Sequence, residues 1–157
     1  RLSLVCQGLF FIKDSVMTTY SLVDIPETEA MLNNPNYSKI VSSAACLASK
    51  KLVTSESFTC MYGFPATYLR KEQTADLKMV ADALFTNGVN QHIYCGMPFN
   101  PKGSDTIDFF ATCYIGPGGS LTEELAEFNS YVEKVSGFLQ KGKTLSLIHI
   151  SEPTRPY

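Results

Sequence analysis

The chain has 157 residues, a length that suits one domain or part of a larger one. Its composition is ordinary for a globular core, with 45 % hydrophobic residues, 18 % charged residues and a formal net charge of −2. It has no basic cluster typical of nucleic-acid binding, and no apolar run approaches the roughly 20 residues of a membrane span. We therefore expect neither nucleic acid nor a membrane as a partner.

The first half of the chain alternates apolar runs with helical patterns. In chain order, its predicted elements are a strand within 2–12, a short helix or helical turn over 14–21, a strand from 22, a helix over 38–49 and a strand over 51–59. Pro26 has no N–H to donate to a ladder, so the strand from 22 is predicted to stop near Ile25. Glu27 and Glu29 are then expected on the loop beyond that strand.

The second half contains the clearest helical pattern. Apolar residues recur at helical spacing over 74–86, at Leu77, Val80, Ala81, Leu84 and Phe85. Residues 89–97 follow as a predicted strand. Ser120 with Glu123 three residues later forms a capping-box pattern, which predicts that the last helix opens there.

A strand, a helix and a strand at this spacing form a βαβ unit, which predicts an α/β fold with a parallel sheet. A complete (β/α)8 TIM-like barrel needs about 250 residues. We therefore expect residues 1–143 to be the carboxyl-terminal portion of such a barrel, incomplete in this chain and inactive by itself. Unpaired strand edges predict that the isolated fragment aggregates or fails to fold.

Glu56 carries the strongest sequence signal for chemistry. It comes after a short apolar strand and sits between Ser55 and Ser57. Ligands bind at the carboxyl ends of the strands in parallel α/β sheets and barrels, so a carboxylate there is a candidate for catalysis. The other interpretation is a buried structural ion pair.

Glycoside hydrolysis needs two carboxyl groups, one protonated and one ionised. Glu56 and Glu27 are therefore predicted to be the catalytic pair, and Glu29 is predicted to contact the substrate. A solvated loop charge is the alternative for both Glu27 and Glu29.

Aromatic and amide side chains are expected near these acids, because aromatic faces stack on sugar C–H surfaces and amides bond sugar hydroxyls. Tyr62, Asn90 and Tyr94 fall on predicted loops or strand ends and are predicted to bind the substrate. Taken one at a time, each of these residues fits a core aromatic or a turn amide at least as well.

The chain has five cysteines, an odd number, and no Cys-x-x-Cys pair. This pattern argues against a disulfide framework and against a zinc knuckle. We expect buried free thiols in a reducing compartment, which favours a cytoplasmic location. The chain begins at Arg1 without a Met, so we expect the natural N-terminus to lie upstream.

Four segments together resemble a known family. They are VDIPETE at 23–29, KLVTSESFT at 51–59, TADLKMVADALFTNGVNQHIYCGMPFNPKG at 74–103 and ELAEFNSYVEKVSGFLQKG at 124–142. The set is similar to the α-L-rhamnosidases of glycoside hydrolase family 106 and their close relatives. The resemblance covers roughly residues 1–143, the carboxyl-terminal part of that family's catalytic barrel.

The resemblance implies an inverting mechanism on α-L-rhamnosides, with a glutamate acid, a glutamate base and a calcium ion at the site. Glu56 matches the family's basic glutamate, which activates water. Glu27 or Glu29 matches a second acidic site residue, linked to the metal. The general acid of the family lies on an earlier strand than this chain contains. Cys95 stands where relatives tend to have a histidine, so it is expected to take that place beside the substrate.

Residues 144–157 do not fit the pattern that precedes them. The run from Leu145 to Arg155 resembles the translated end of a transposon-based sequencing adapter. We therefore expect this tail to be non-native and to take no part in the fold.

Three alternatives to an inverting rhamnosidase stay open on the sequence. A retaining β-glycosidase-like barrel would use Glu56 as its nucleophile. A carbohydrate-binding relative would keep the barrel without catalysis. A different barrel hydrolase or isomerase would use the same strand-end acids for other chemistry.

Overall fold

The computed structural model describes residues 5–7, 16–30, 34–62, 71–97 and 113–142. The elements in these ranges are β1 (Val5–Gln7), α1 (Val16–Leu22), β2 (Ile25–Glu29), α2 (Asn36–Leu47), β3 (Thr54–Ser57), α3 (Thr74–Thr86), β4 (Gln91–Tyr94) and α4 (Leu125–Leu139). This is the mixed α/β fold that the sequence predicts. The tail at 144–157 lies outside the described residues.

All of the described strands lie in one parallel sheet, in the order β1-β2-β3-β4. Strands that are neighbours in sequence are therefore neighbours in the sheet. Crossovers between parallel strands are right-handed, so a sheet that grows in one direction collects its connecting helices on one face.

Residues 113–115 bond to the chain just beyond β4. The Gly96 N–H donates to the Cys113 carbonyl at 3.4 Å, and the Ile115 N–H donates to the Gly96 carbonyl at 3.0 Å. In parallel pairing, one residue bonds to the positions before and after its partner, so these two bonds place Gly96 opposite Tyr114. This contact lies next to β4, outside the four strands of the sheet.

The helices pack on one face of the sheet. Their buried residues belong to a single core, which includes Val41, Ala44 and Ala45 of α2, Leu77, Ala81 and Leu84 of α3, and Phe128 of α4. Phe58, fully buried just after β3, lies at the centre of an aromatic group with ring centroids 5.2 Å from Tyr94 and 6.0 Å from Phe128. Because successive strand residues alternate between faces, the helix-facing side carries Ser55 and Ser57, and the other side carries Glu56.

Strand β2 differs from its prediction. It begins at Ile25, where the sequence predicted that it would stop, and it runs through Pro26 to Glu29. Pairing with β3 covers only Glu27 to Glu29, so Pro26 lies before that paired stretch and opposite Cys6 of β1. The missing N–H therefore interrupts no bond to β3, which is why proline is tolerated near the start of a strand. Glu27 and Glu29 consequently lie in the strand and not on a loop.

The helices show one confirmed prediction and one correction. Helix α3 spans Thr74–Thr86, the range that its apolar spacing predicted. Helix α4 begins at Leu125, and Ser120 does not cap it. The Ser120 hydroxyl instead donates to the backbone carbonyl and the carboxylate of Glu72, at 2.9 and 3.1 Å. A tertiary partner has replaced the local capping bond.

Two expectations from composition meet observations here. Among the described residues, the helices are all too short or too polar to cross a membrane. Cys46, Cys60, Cys95 and Cys113 are all free thiols, as predicted for cysteines without a disulfide framework. Cys60 and Cys113 are buried.

Candidate functional site

Three glutamates lie on one face of β2 and β3: Glu29 is the last residue of β2, Glu56 is the next-to-last residue of β3, and Glu27 is the middle residue of β2. Glu27 and Glu29 are two residues apart in one strand, so their side chains leave the same face of the sheet. Glu56 lies directly opposite Glu29 in the register. Thr28, between the two acids of β2, points to the helix side and is 3 % exposed. We call Glu27, Glu29 and Glu56 the carboxylate cluster; all three are partly buried.

The cluster favours protonation of its β2 members. Burial raises the pKa of Glu27 above its ordinary value, and the negative charge of Glu56 adds to the rise. The same two causes, in the same order, raise the pKa of Glu29. Oε2 of Glu27 is buried and has no hydrogen-bond partner among the described residues. A buried carboxylate oxygen without a donor is disfavoured when ionised, so Glu27 holds its proton to higher pH than a solvated glutamate.

Glu56 is contacted by two polar side chains. The Thr59 hydroxyl donates to its Oε1 at 3.4 Å. The Cys95 thiol hydrogen-bonds to both Thr59 and Glu56. Burial raises the pKa of that thiol; Thr59 lowers it, while Glu56 and the charge of Glu29 raise it further. Cys95 therefore lies beside the carboxylate cluster as a neutral thiol, and its predicted contact with the substrate stays a prediction.

The turn after β3 has an unusual backbone. Phe58 and Cys60, on either side of Thr59, have φ angles of 77° and 49°. Non-glycine residues in this left-handed region carry a cost of roughly 1–3 kcal/mol each. Burial holds both residues there, since Phe58 is 0 % and Cys60 1 % exposed. The sequence gave no sign of this turn, because such positions are normally recognised by glycine or asparagine.

Tyr62 is engaged away from the cluster. Its hydroxyl donates to Oδ2 of Asp76 at 2.7 Å and accepts from the Gln73 N–H at 3.1 Å. Burial is the main reason why the pKa of this phenol is raised. Tyr62 thus fastens the chain after β3 to the first turn of α3, and its predicted contact with the substrate stays a prediction.

Tyr94 faces the helices. It lies opposite Ser57 in the register, on the sheet face away from Glu56, and its ring packs against Phe58 and Phe128. Burial raises the pKa of its phenol to about 12. The structure therefore places Tyr94 in the aromatic core and does not bring it to the carboxylate cluster.

Asn90 lies at the opposite end of the strands. Its Oδ1 accepts the Val53 N–H at 2.9 Å, and its Nδ2 donates to the Lys51 carbonyl at 2.9 Å. Both bonds fix the entry to β3. Glu56 is level with Ile93, three residues along β4, which is about 10 Å away at the usual rise per residue. The strand direction therefore separates Asn90 from the cluster, and its predicted role in substrate binding stays a prediction.

Glu72 is a buried carboxylate that the sequence reading missed. It is 1 % exposed and accepts the Tyr114 N–H at 2.9 Å together with the Ser120 hydroxyl. It therefore fastens residues 113–115 beside β4. Burial, and then the Glu72 charge, raise the pKa of neighbouring Cys113 to about 12. A glutamate between Lys71 and Gln73 looks like a solvated charge in the sequence, so no local signal could have identified it.

Ser57, which is buried, and His92, which is partly buried, form a pair on the helix side of the sheet. The Ser57 hydroxyl lies 2.8 Å from Nδ1 of His92 and donates to the Ser55 carbonyl. Burial lowers the pKa of His92 to about 4, and its ring packs edge-on against Phe85. The pair faces away from the carboxylate cluster, so we assign it to packing.

The calcium ion that the resemblance implies stays a prediction. Carboxylate oxygens are the ligands calcium prefers, and the orphaned Oε2 of Glu27 is a possible donor. Within the described parts of the chain, however, no group of three or more His, Cys, Asp or Glu side chains is arranged to hold a metal ion. We therefore derive no chemical step through calcium.

Comparison of the chain with protein-family models, with curated proteins and with solved structures finds no match. The chemistry of the site must therefore be argued from its own residues.

Proposed function

We propose that residues 1–143 are the carboxyl-terminal part of a (β/α)8 barrel of a glycoside hydrolase, which acts on α-L-rhamnosides or similar glycosides. The observation that carries the proposal is the carboxylate cluster, in which Glu29 and Glu56 lie at the carboxyl ends of two adjacent parallel strands. This is the end of the strands at which barrel enzymes bind their substrates.

The topology of the sheet supports a barrel over an open doubly wound sheet. Doubly wound sheets reverse their strand order at a switch point, where the ligand binds. Here each strand is added on the same side as the last, from β1 through β4. One helical layer on one face is also the arrangement of a barrel, whose other face is its interior.

The surroundings of the glutamates support two different chemical roles. In hydrolysis of a glycosidic bond, one carboxylic acid protonates the leaving oxygen and one carboxylate activates water. Glu56 is the base in this proposal, since Thr59 and Cys95 hold it at the strand end. Glu27 is the residue suited to hold a proton, because burial and the Glu56 charge raise its pKa. The acid and base roles of two carboxyl groups are assigned from the environments that set their pKa values apart.

The register favours inversion over retention for the pair Glu27 and Glu56. Glu29 lies directly opposite Glu56, whereas Glu27 is two residues further back on β2. The Cβ atoms of such diagonal neighbours are about 7–8 Å apart, compared with about 5 Å for direct partners, and this spacing of the strand positions is our guide to the separation of the carboxyl groups. Inverting enzymes separate their carboxyl groups by roughly 6.5–9.5 Å, and retaining enzymes by roughly 5–5.5 Å. A retaining mechanism would instead use Glu29 with Glu56.

The test is a panel of aryl glycosides, including an α-L-rhamnoside, assayed with the full-length protein that carries this chain. We expect turnover by the wild type and loss of turnover in Glu56→Gln, with sugar binding retained. Glu133→Gln is the matched control, because Glu133 is an exposed residue of α4. Unchanged turnover in Glu56→Gln would remove the proposal. Sugar binding without turnover in the wild type would favour the non-catalytic relative.

A further inference from the structure

We propose that Thr59 is a positioning residue for Glu56, and that the left-handed turn from Phe58 to Cys60 aims its hydroxyl back at that carboxylate. The inference deepens the proposed function and rests on it, since Glu56 is the base in that reaction. It assigns a role to a residue that the sequence pattern left in an ordinary loop.

The contact between Thr59 and Glu56 is local and shielded. Thr59 lies two residues beyond the end of β3, and its hydroxyl reaches Oε1 of Glu56 at 3.4 Å. Thr59 is 4 % exposed, so little water competes for the carboxylate from that side. A side chain that continued along the strand would point away from Glu56, because residues three apart in a strand leave opposite faces. The chain must turn back for this bond to form.

The backbone supplies that return. Phe58 and Cys60 both adopt positive φ, which an aromatic side chain rarely does. Glycine would adopt these angles freely, but this chain uses two side chains that the core buries completely. The Phe58 ring is held between Tyr94 and Phe128. Strained backbone that packing over-determines is characteristic of functional sites, and here it flanks Thr59, whose hydroxyl donates to Glu56.

The groups around Glu56 indicate what the Thr59 hydroxyl does. Glu27 and Glu29 face Glu56 from β2, and the Cys95 thiol faces it from the end of β4. A hydroxyl that donates to the carboxylate restricts the rotation of the Glu56 side chain toward one geometry. Thr59 thereby acts through Glu56 and not on the sugar.

The experiment replaces Thr59 with valine, which keeps the shape of the side chain and removes the hydroxyl. In the full-length protein we expect Thr59→Val to lower kcat about tenfold or more, the size of one hydrogen bond to a charged group, with KM unchanged. Thr59→Ser, which keeps the hydroxyl, should restore the rate. If Thr59→Val does not fold, Thr59→Ala provides the same test with a smaller side chain.

Thr28→Val is the matched control, because Thr28 is a buried threonine of β2 on the helix side of the sheet. We expect it to keep the wild-type kcat and KM. Wild-type values in Thr59→Val, or failure of Thr59→Ser to restore them, would overturn the inference while leaving the proposed function in place. Unchanged turnover in Glu56→Gln would instead overturn the proposed function itself, so the two failures are distinguishable.

Discussion

The buried carboxylate of Glu72 offers a quantitative test of how the sheet is assembled. It accepts the Tyr114 N–H at 2.9 Å and the Ser120 hydroxyl at 3.1 Å, and it is 1 % exposed. Each hydrogen bond to a charged group contributes about 1.5–3 kcal/mol, so two contribute about 3–6 kcal/mol. Removing a buried charge also recovers part of its desolvation cost. We therefore expect Glu72→Ala to lower the free energy of unfolding by about 3 kcal/mol, at the lower end of that range.

Glutamine at the same position separates shape from charge. Glu72→Gln keeps an oxygen for the Tyr114 N–H and an amide next to Ser120, so we expect a loss of only about 1 kcal/mol. The assay is thermal unfolding of the full-length protein followed by circular dichroism, in which about 3 kcal/mol corresponds to roughly 6–12 °C for a domain of about 150–250 residues. Glu133→Ala, at an exposed position of α4, should shift the free energy by no more than about 0.5 kcal/mol. If Glu72→Ala and Glu133→Ala lower the free energy of unfolding equally, the Glu72 carboxylate does not hold residues 113–115 beside β4.

Two further predictions concern the carboxylate cluster. The pKa of Glu27 is raised above its ordinary value of 4.5, so the folded state binds the extra proton, and its stability falls as the pH rises through the folded pKa. Glu27→Gln should therefore be more stable than the wild type at pH 7, and the difference in stability should shrink toward pH 4. Urea unfolding at the two pH values measures this difference. A difference that grows toward acid pH would contradict the prediction. Proton NMR of the first product from an aryl α-L-rhamnoside should show the inverted anomer, as the diagonal placement of Glu27 and Glu56 predicts. Retained configuration would assign the reaction to Glu29 and Glu56 instead.

Local patterns in the sequence predict the elements of this fold better than their ends and faces. The apolar spacing of α3 fixes its range because five core residues recur on one helical face. The range of β2 was wrong because the cost of Pro26 depends on which neighbour pairs with it, and that is a tertiary fact. The capping box at Ser120 failed for the same reason, since its hydroxyl found Glu72 in another part of the chain.

The candidate site could be predicted only in its acids. Glu27, Glu29 and Glu56 were expected at strand ends, and the register brings them together. Tyr94 and Asn90 were expected beside them, but a strand position changes face with every residue, and the two ends of a strand lie far apart. Tyr94 is in the core because it is one residue away from a position on the cluster's face. Asn90 is far from the cluster because it lies at the other end of the strand.

Thr59 and Glu72 were missed because neither has a local signature. The turn around Thr59 contains no glycine, so only the φ angles of its neighbours reveal it. Glu72 stands in a polar run before α3 and becomes buried only when residues 113–120 pack over it. The position of Thr59 depends on a backbone conformation that the packing of Phe58 imposes. The burial of Glu72 depends on a contact between segments that are separated in the sequence.

The central claim is that the Glu56 carboxylate activates water at the end of β3. Chemical rescue tests it most directly: kcat is measured for Glu56→Ala in the full-length protein, with and without sodium azide. We expect kcat to fall by about 10²–10⁴, the usual contribution of a general base, and azide to restore part of it by forming a glycosyl azide of inverted configuration. A kcat equal to that of the wild type in the absence of azide would contradict the claim.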